Sequence, residues 1–243
     1  MVNDDRFLER FNFRDQYLAT RPAKAEKILE VLRREGVNCE GSSLLDIGCS
    51  QGQITYRMGQ VFKSVIGVDL NNEDWKPTSS LHFIQADASR LPLGAGVFDV
   101  VIMNHTLEHT ASPQLLMDEI WRVLRRNGVC YLACPNRFSL LEPHYRLPFL
   151  SWLPRSMADR YVRLAGRGEA YLDNMPSHAR LRELARQFKL KDLTAVIVKN
   201  PEIFLGSDPG LLRRTQLISW LPARLLKLLV PLLPVWILVL KKE

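Results

Sequence analysis

The chain is poor in cysteine. Only Cys39, Cys49, Cys130 and Cys134 occur among 243 residues, and none forms a CxxC pair. Three of the four lie inside or at the ends of apolar runs, where a buried thiol is ordinary, so the pattern points to a reducing, cytosolic setting and away from a disulfide framework. Met1 to Asp15 is charged throughout and lacks the apolar stretch and small-residue cleavage site of an export signal. No internal repeat or low-complexity tract is present. From Leu211 to Lys242 there is no acidic residue, yet Pro222, Arg224, Lys227, Pro231 and Pro234 break this apolar tail. The roughly 20 uninterrupted apolar residues of a membrane-spanning helix are therefore missing.

What is present is enough apolar residue, 47% of the chain, for one sizeable core, and a net charge of +7 with pI near 9.4. That charge suits anionic partners such as a membrane surface or a phosphorylated substrate. Nucleic acid is disfavoured, because the basic residues do not alternate with aromatics along one stretch. Thr20 to Gly36 carries an early Pro22, apolar residues at helical spacing and a closing glycine, and predicts a helix. Short apolar runs at 43–47, 65–68, 82–84, 97–103 and 129–133 predict buried parallel strands. Gln51 to Gln60 and the segment opened by Ser112 and Pro113, closed by Gly128, predict helices between them. Strand and helix alternate, so a doubly wound α/β sheet in a single domain, 1–243, is expected.

The stretch 136–176, rich in Pro, Arg and aromatics, breaks that rhythm and is expected to be an insertion or lid over the acceptor side at the sheet's edge. A helix at Ser177 to Phe188, a strand near Leu193 to Val198, an amphipathic helix at 211–230 and a last strand from Val235 to Leu240 complete the expected order.

Residues 44–52, Leu-Leu-Asp-Ile-Gly-Cys-Ser-Gln-Gly, put small residues at 48, 50 and 52, where a strand turns sharply and lets a ligand touch its backbone. Asp69 ends the next strand, where a carboxylate suits two ribose hydroxyls, and Asp87 with Ala88 follows the third. These ordered motifs, Asp46-x-Gly48-x-Ser50-x-Gly52, Asp69, Asp87 and Phe98-Asp99-Val100-Val101, resemble those of class I S-adenosylmethionine-dependent methyltransferases. Leu107-Glu108-His109 and Leu124-Arg125-Arg126-Asn127-Gly128 are similar to the small-molecule branch that includes ubiquinone and menaquinone methyltransferases. The resemblance covers residues 40–135. It implies a seven-stranded, mostly parallel sheet with the last strand antiparallel, and S-adenosyl-L-methionine as methyl donor. It also implies that Gly48 and Gly52 approach the methionine part, Asp69 holds the ribose and Asp87 with Ala88 reads the adenine. Asp46, Ser50, Leu70 and Asn104 complete the implied cofactor set. Ser50 stands where the family usually has glycine, a position that imposes a negative φ or mild strain on serine.

Gly48-Cys-Ser50-Gln-Gly52 also spells the nucleophile elbow of a hydrolase, but it ends the first strand instead of following several. Gln53 stands where a nicotinamide-binding fingerprint would want glycine. His105 and His109, four apart, would share a helix face as metal ligands; with the helix starting after them and no third ligand suggested, no metal is expected. Asn104, His105 and His109 follow the fourth strand and are candidates to shape the transfer pocket, His105 as first choice for a general base. In the insertion, Glu142 and His144 are further candidates for base, beside Arg137, Tyr145 and Arg146. Tyr17 and Arg21 are candidates to fold over the cofactor's carboxylate.

The expected activity is methyl transfer to a quinone-, lipid- or glycan-like acceptor, small or lipid-linked; the competing expectation is a catalytically weak scaffold of the same fold. The segment 211–230 is a candidate for peripheral contact with an anionic bilayer, which would place the protein in the cytoplasm at a membrane surface.

Overall fold

The structure is a computed structural model that describes residues 20–71, 75–205 and 208–243. The expectations about Met1 to Asp15 and Tyr17 lie outside the described residues. Helix α1, Arg21–Arg34, starts at Pro22, whose fixed φ suits a first turn. It buries Ala25, Ile28, Leu29, Val31 and Leu32 against the sheet. Gly36 then turns the chain at φ 81.

Seven strands follow: β1 Ser43–Ile47, β2 Ser64–Asp69, β3 Leu81–Gln85, β4 Phe98–Asn104, β5 Leu124–Pro135, β6 Lys189–Asp192 and β7 Val235–Lys241. They form one sheet in the order β3-β2-β1-β4-β5-β7-β6. Strands β1 to β5 pair in parallel, and β7 runs antiparallel between β5 and β6. Alternate residues of the central strands enter two cores. Leu45, Ile47, Val101 and Met103 face one, and Leu44, Val100 and Ile102 face the other, where α1 packs. Burial on both faces explains why these strands are continuous apolar runs in the sequence. The strand order reverses between β1 and β4, and the crevice beyond their carboxyl ends is where ligands bind in open α/β sheets.

Helices α2, Gln53–Gly59, and α3, Pro113–Val123, connect the first strands. Gly128 does not close α3. The helix ends at Val123, and Gly128 lies inside β5, where a Cβ would stand 2.9 Å from the Arg125 carbonyl oxygen. The insertion holds a short 3-10 turn, Leu150–Trp152, and helix α4, Arg155–Leu164. It has its own core of Tyr145, Leu147, Leu150, Ala158, Val162 and Tyr171. Its anchor is the 3-10 turn Leu107–His109 beyond β4, the middle strand, through the Asn174 amide donating to the Glu108 carbonyl at 2.8 Å. The expected position over the sheet's edge is corrected accordingly.

Helix α5, His178–Leu184, follows the insertion. The expected strand at 193–198 is a helix, α6, Thr194–Lys199, and the strand is the preceding β6. Two side chains decide this: Asp192 accepts from the Thr194 amide at 2.9 Å, and the Thr194 hydroxyl accepts from the Ile237 amide of β7 at 3.0 Å. Those bonds start a helix despite the β-branched run, an instance of tertiary context outweighing propensity. After α7, Pro201–Leu205, the expected single helix at 211–230 is two, α8, Pro209–Ser219, and α9, Ala223–Leu229. The break falls at Pro222, which cannot continue a helix.

Candidate functional site

The turn after β1 is built for close approach. Gly48, Ser50 and Gly52 take φ values of 75°, 48° and 81°. A Cβ at Gly48 would stand 2.2 Å from the Thr106 hydroxyl oxygen, and one at Gly52 3.0 Å from the Phe83 ring. Thr106, just past β4, donates to the Ile47 carbonyl at 3.0 Å and so locks the two loops of the crevice together. Ser50 takes the left-handed conformation, with the mild strain that a side chain there carries. Asp69 at the end of β2 accepts from the Ser50 amide at 2.8 Å and the Asn71 amide at 3.1 Å, fixing the turn from outside. Trp75, which the sequence pattern did not single out, donates to the Ser50 carbonyl at 2.7 Å and stacks on Phe83 at 5.1 Å.

The other expected cofactor residues sit at the same end of the sheet. Asp46 is buried on β1, accepts from the Thr55 hydroxyl at 2.7 Å, and is pushed up to about 6 by burial. Leu70 is exposed beside Asp69. Asp87 is exposed with Ala88 half-buried, and its carboxylate accepts from the Ser89 amide and hydroxyl at 2.8 and 2.6 Å, bonds that hold its pKa below the ordinary value. Asn104, at the end of β4, is 6% exposed, and neither its amide nitrogen nor its amide oxygen has a protein partner. A buried amide left bare costs about 1–3 kcal/mol, so a polar group bound there would repair a deficit. The bare amide and the glycine cradle fit a nucleotide-like group whose polar edge meets the crevice.

Beyond β4 the loop and the insertion bring six titratable side chains together. His105 holds φ 60, and its Nδ1 lies 3.4 Å from a carboxylate oxygen of Glu108. Burial pushes His105 down to about 4, so it is neutral at physiological pH. Asp173 accepts from His109 Nδ1 and His144 Nδ1, each at 2.8 Å, and the two rings stand 5.0 Å apart. Burial works against a charged His144, but the bond and charge of Asp173 outweigh it and hold the imidazolium up to about 10. The same pair of histidines holds Asp173 well below the usual carboxylate range, against its own burial. Glu142 is fully buried, pushed up to about 7 by that burial, with one oxygen accepting from the Tyr145 amide and the other bare. Its bare side lies 3.7 Å from His144 Nδ1.

Of the expected base candidates, His144 and Glu142 thus meet in this cluster with His109, and His105 adjoins it through Glu108. Asp173 and Glu108 are the candidate site residues that sequence reasoning missed. Glu108 was visible only as part of a motif, and Asp173 had no signal, being 64 residues beyond His109 with no spacing to link them. Glu108–His109–His144 and Glu142–His144–Asp173 each place three ligand-type atoms within 4.8 Å of one another. Neither group includes His105, so the pair His105 and His109 weighed from the sequence is not the one that these donors surround.

On α1, Arg21 is buried on the face that carries Lys24 and Lys27 at three-residue spacing. Burial, aided by the neighbouring cations, pushes Lys24 down to about 7, while Glu108 pulls it up; burial pushes Lys27 to about 8. A separate cleft of about 630 Å³ opens at the opposite end of the strands, among Ser42, Asp99, Asn127 and Lys189. It holds neither histidine nor cysteine, and the chemistry lies at the other end.

Residues 45–132 match the methyltransferase domain family. Over those residues the chain is similar to methyltransferases. Over 128 residues the chain is 33% identical to the ubiquinone biosynthesis O-methyltransferase of Psychrobacter cryohalolentis, covering 45% of this chain and 49% of that protein. It is 31% identical over 166 residues to the malonyl-[acyl-carrier protein] O-methyltransferase of Geobacter sulfurreducens, covering 64% of this chain and 61% of that one. The chain thus spans about half the length of the first of these relatives. Among solved structures, the plantazolicin methyltransferase in complex with a substrate analogue and S-adenosylhomocysteine aligns with a TM-score of 0.62 at 19% identity, over 99% of this chain and 91% of that one. A sarcosine dimethylglycine methyltransferase from Galdieria sulphuraria aligns at 0.56 and 15% identity, over 95% and 88%. These structural likenesses concern the fold. The sheet has the seven strands expected from the sequence, the last antiparallel.

Proposed function

We propose that the chain transfers a methyl group from S-adenosylmethionine to a hydroxyl oxygen of a small or lipid-linked acceptor. The observation that carries this reading is the Glu142–His144–Asp173–His109 array, its carboxylates buried and its imidazoles half-buried, set beyond β4 beside the glycine cradle. In the cradle, Gly48 and Gly52 leave room for the donor's methionine part, Asp69 and Leu70 would hold the ribose, and Asp87 with Ala88 the adenine. Asn104 would supply the two amide groups that now lack partners, and Arg21 a cation. The bound donor contributes a sulfonium methyl that is already electrophilic, so the protein's task is alignment and exclusion of water. Asp173 fixes the direction of both rings and holds the proton on His144. His144, cationic at neutral pH, stabilises an acceptor oxygen as its negative charge develops. Glu142, held near 7, would take the hydroxyl proton as the acceptor oxygen gains the methyl group that the donor supplies, the electron pair of the broken bond staying with the donor. His105 stands by as a neutral second acceptor of that proton. The insertion, with its own core, roofs the array. The O-methyltransferase names of two relatives favour oxygen as the acceptor atom.

Calorimetry of the full chain with S-adenosylmethionine and S-adenosylhomocysteine, beside Asp69→Ala and with NADH as control, tests the reading. Micromolar binding lost in the variant, followed by label transfer from a methyl-labelled donor to quinone, lipid or glycan hydroxyls, is the expected result. Absence of binding by the wild-type chain would overturn it and leave a scaffold.

A further inference from the structure

Helices α8 and α9, with the residues that follow each, expose large apolar side chains. Leu217, Trp220, Leu228 and Leu232 are 71%, 74%, 76% and 63% exposed. Of the seven residues of α9 only Leu226 is buried, although four of the seven are leucines. Side chains this apolar are costly to leave in water, and several of them exposed together mark a contact surface. The charged residues of the two helices share one sign. Arg213, Arg214, Arg224 and Lys227 are all exposed, none has an ion-pair partner among the described residues, and no carboxylate occurs between Pro209 and Lys242.

Charge decides between the occupants. A second copy seated on this face would oppose four cations to four cations, and like charges brought together in an interface repel. An anionic lipid surface answers both features, because leucines and tryptophan enter the acyl boundary while arginine and lysine stems keep their charges among the headgroups. No helix among the described residues is long and apolar enough to cross a membrane; α8 and α9, of 11 and 7 residues, suit lying in its surface. The Asn136 amide donates to the Pro231 and Leu233 carbonyls at 2.9 and 2.8 Å, tying the end of this face to the first residue of the insertion. The face therefore adjoins the element that roofs the candidate site.

We propose that α8 and α9 are a docking surface for an anionic lipid bilayer, which would present a lipid-linked acceptor to the site. The docking rests on the methyl-transfer reading only for that last purpose.

The full chain would be floated with vesicles of phosphatidylcholine alone and of phosphatidylcholine mixed with phosphatidylglycerol. Binding to the mixed vesicles only, weakened by added salt, is expected. Reversing all four charges (Arg213→Glu, Arg214→Glu, Arg224→Glu, Lys227→Glu) should weaken it by more than about a hundredfold, at roughly fivefold for each charge removed. Trp220→Ser with Leu228→Ser should weaken it about tenfold or more. Affinity for S-adenosylhomocysteine, measured on the same samples, should stay at the wild-type value in both variants, which separates loss of docking from loss of fold or cofactor site. Equal binding to both vesicles, binding to neither, or a dimer in light scattering that Leu228→Ser dissolves would overturn the proposal.

Discussion

The turn after β1 and the cluster beyond β4 share one crevice but are held in opposite ways. The turn is held by backbone: three positive φ values, two absent side chains, and a carboxylate that accepts from loop amides. The cluster is held by side chains from two distant segments, crossed at Asp173. A site made of backbone tolerates change in its polar groups but not added atoms. A site made of crossed ion pairs tolerates small changes of shape but not loss of one charge, since the partners are then left buried and unpaired.

Substitutions can break this contrast from either side. The largest effect is expected from Asp173→Asn, which keeps the shape but removes the charge between two histidines. Turnover should fall about 10²–10⁴-fold, the range of general acid–base catalysis, while the affinity for S-adenosylhomocysteine holds. Steady-state kinetics beside calorimetry would show the split, and an equal loss of both would mean the two regions act as one. By NMR, His144 in this variant should titrate lower than in the wild type.

Gly48→Ala adds one carbon against Thr106 at a φ of 75°. About 2–4 kcal/mol of stability should go, from left-handed strain and overpacking together, with cofactor affinity lost alongside. Denaturant unfolding and the same titration measure it. Glu142→Gln sharpens the comparison by pH. The wild-type carboxyl, raised to about 7 by burial, is neutral below that pH and ionised above it, so the transfer rate should climb through pH 7 and then level off. The variant should lose that step. A raised acid favours the fold most below its unfolded pKa, and the benefit is lost as pH rises through about 7; thermal unfolding of the wild type should therefore show a falling contribution over that window, absent in the variant. The smallest effect is expected from Ser50→Gly, which relieves a left-handed serine and should add about 1 kcal/mol to stability with a modest gain in cofactor affinity.

The same contrast explains what could be seen in advance. The first turn was legible because its constraint is local: residues 48, 50 and 52 must be small where a strand turns, and Asp69 and Asp87 fall at successive strand ends. The parallel strands were legible as apolar runs. The boundary at 193–198 was misjudged because Val196, Ile197 and Val198 favour a strand until Thr194 is engaged by β7. The break between α8 and α9 was signalled by Pro222 but was absorbed into one amphipathic stretch.

By itself, then, the sequence determined the alternation of strand and helix, the sheet they form, the glycine cradle and the basic, acid-free tail, since each follows from neighbours in the chain. Only the tertiary structure decided that His109, His144 and Asp173 meet, that Glu142 is buried beside them with one oxygen bare, and that Leu225 and Leu228 of α9 face solvent. Those facts depend on which distant segments pack together, and segments 64 residues apart carry no periodicity by which their meeting could be read.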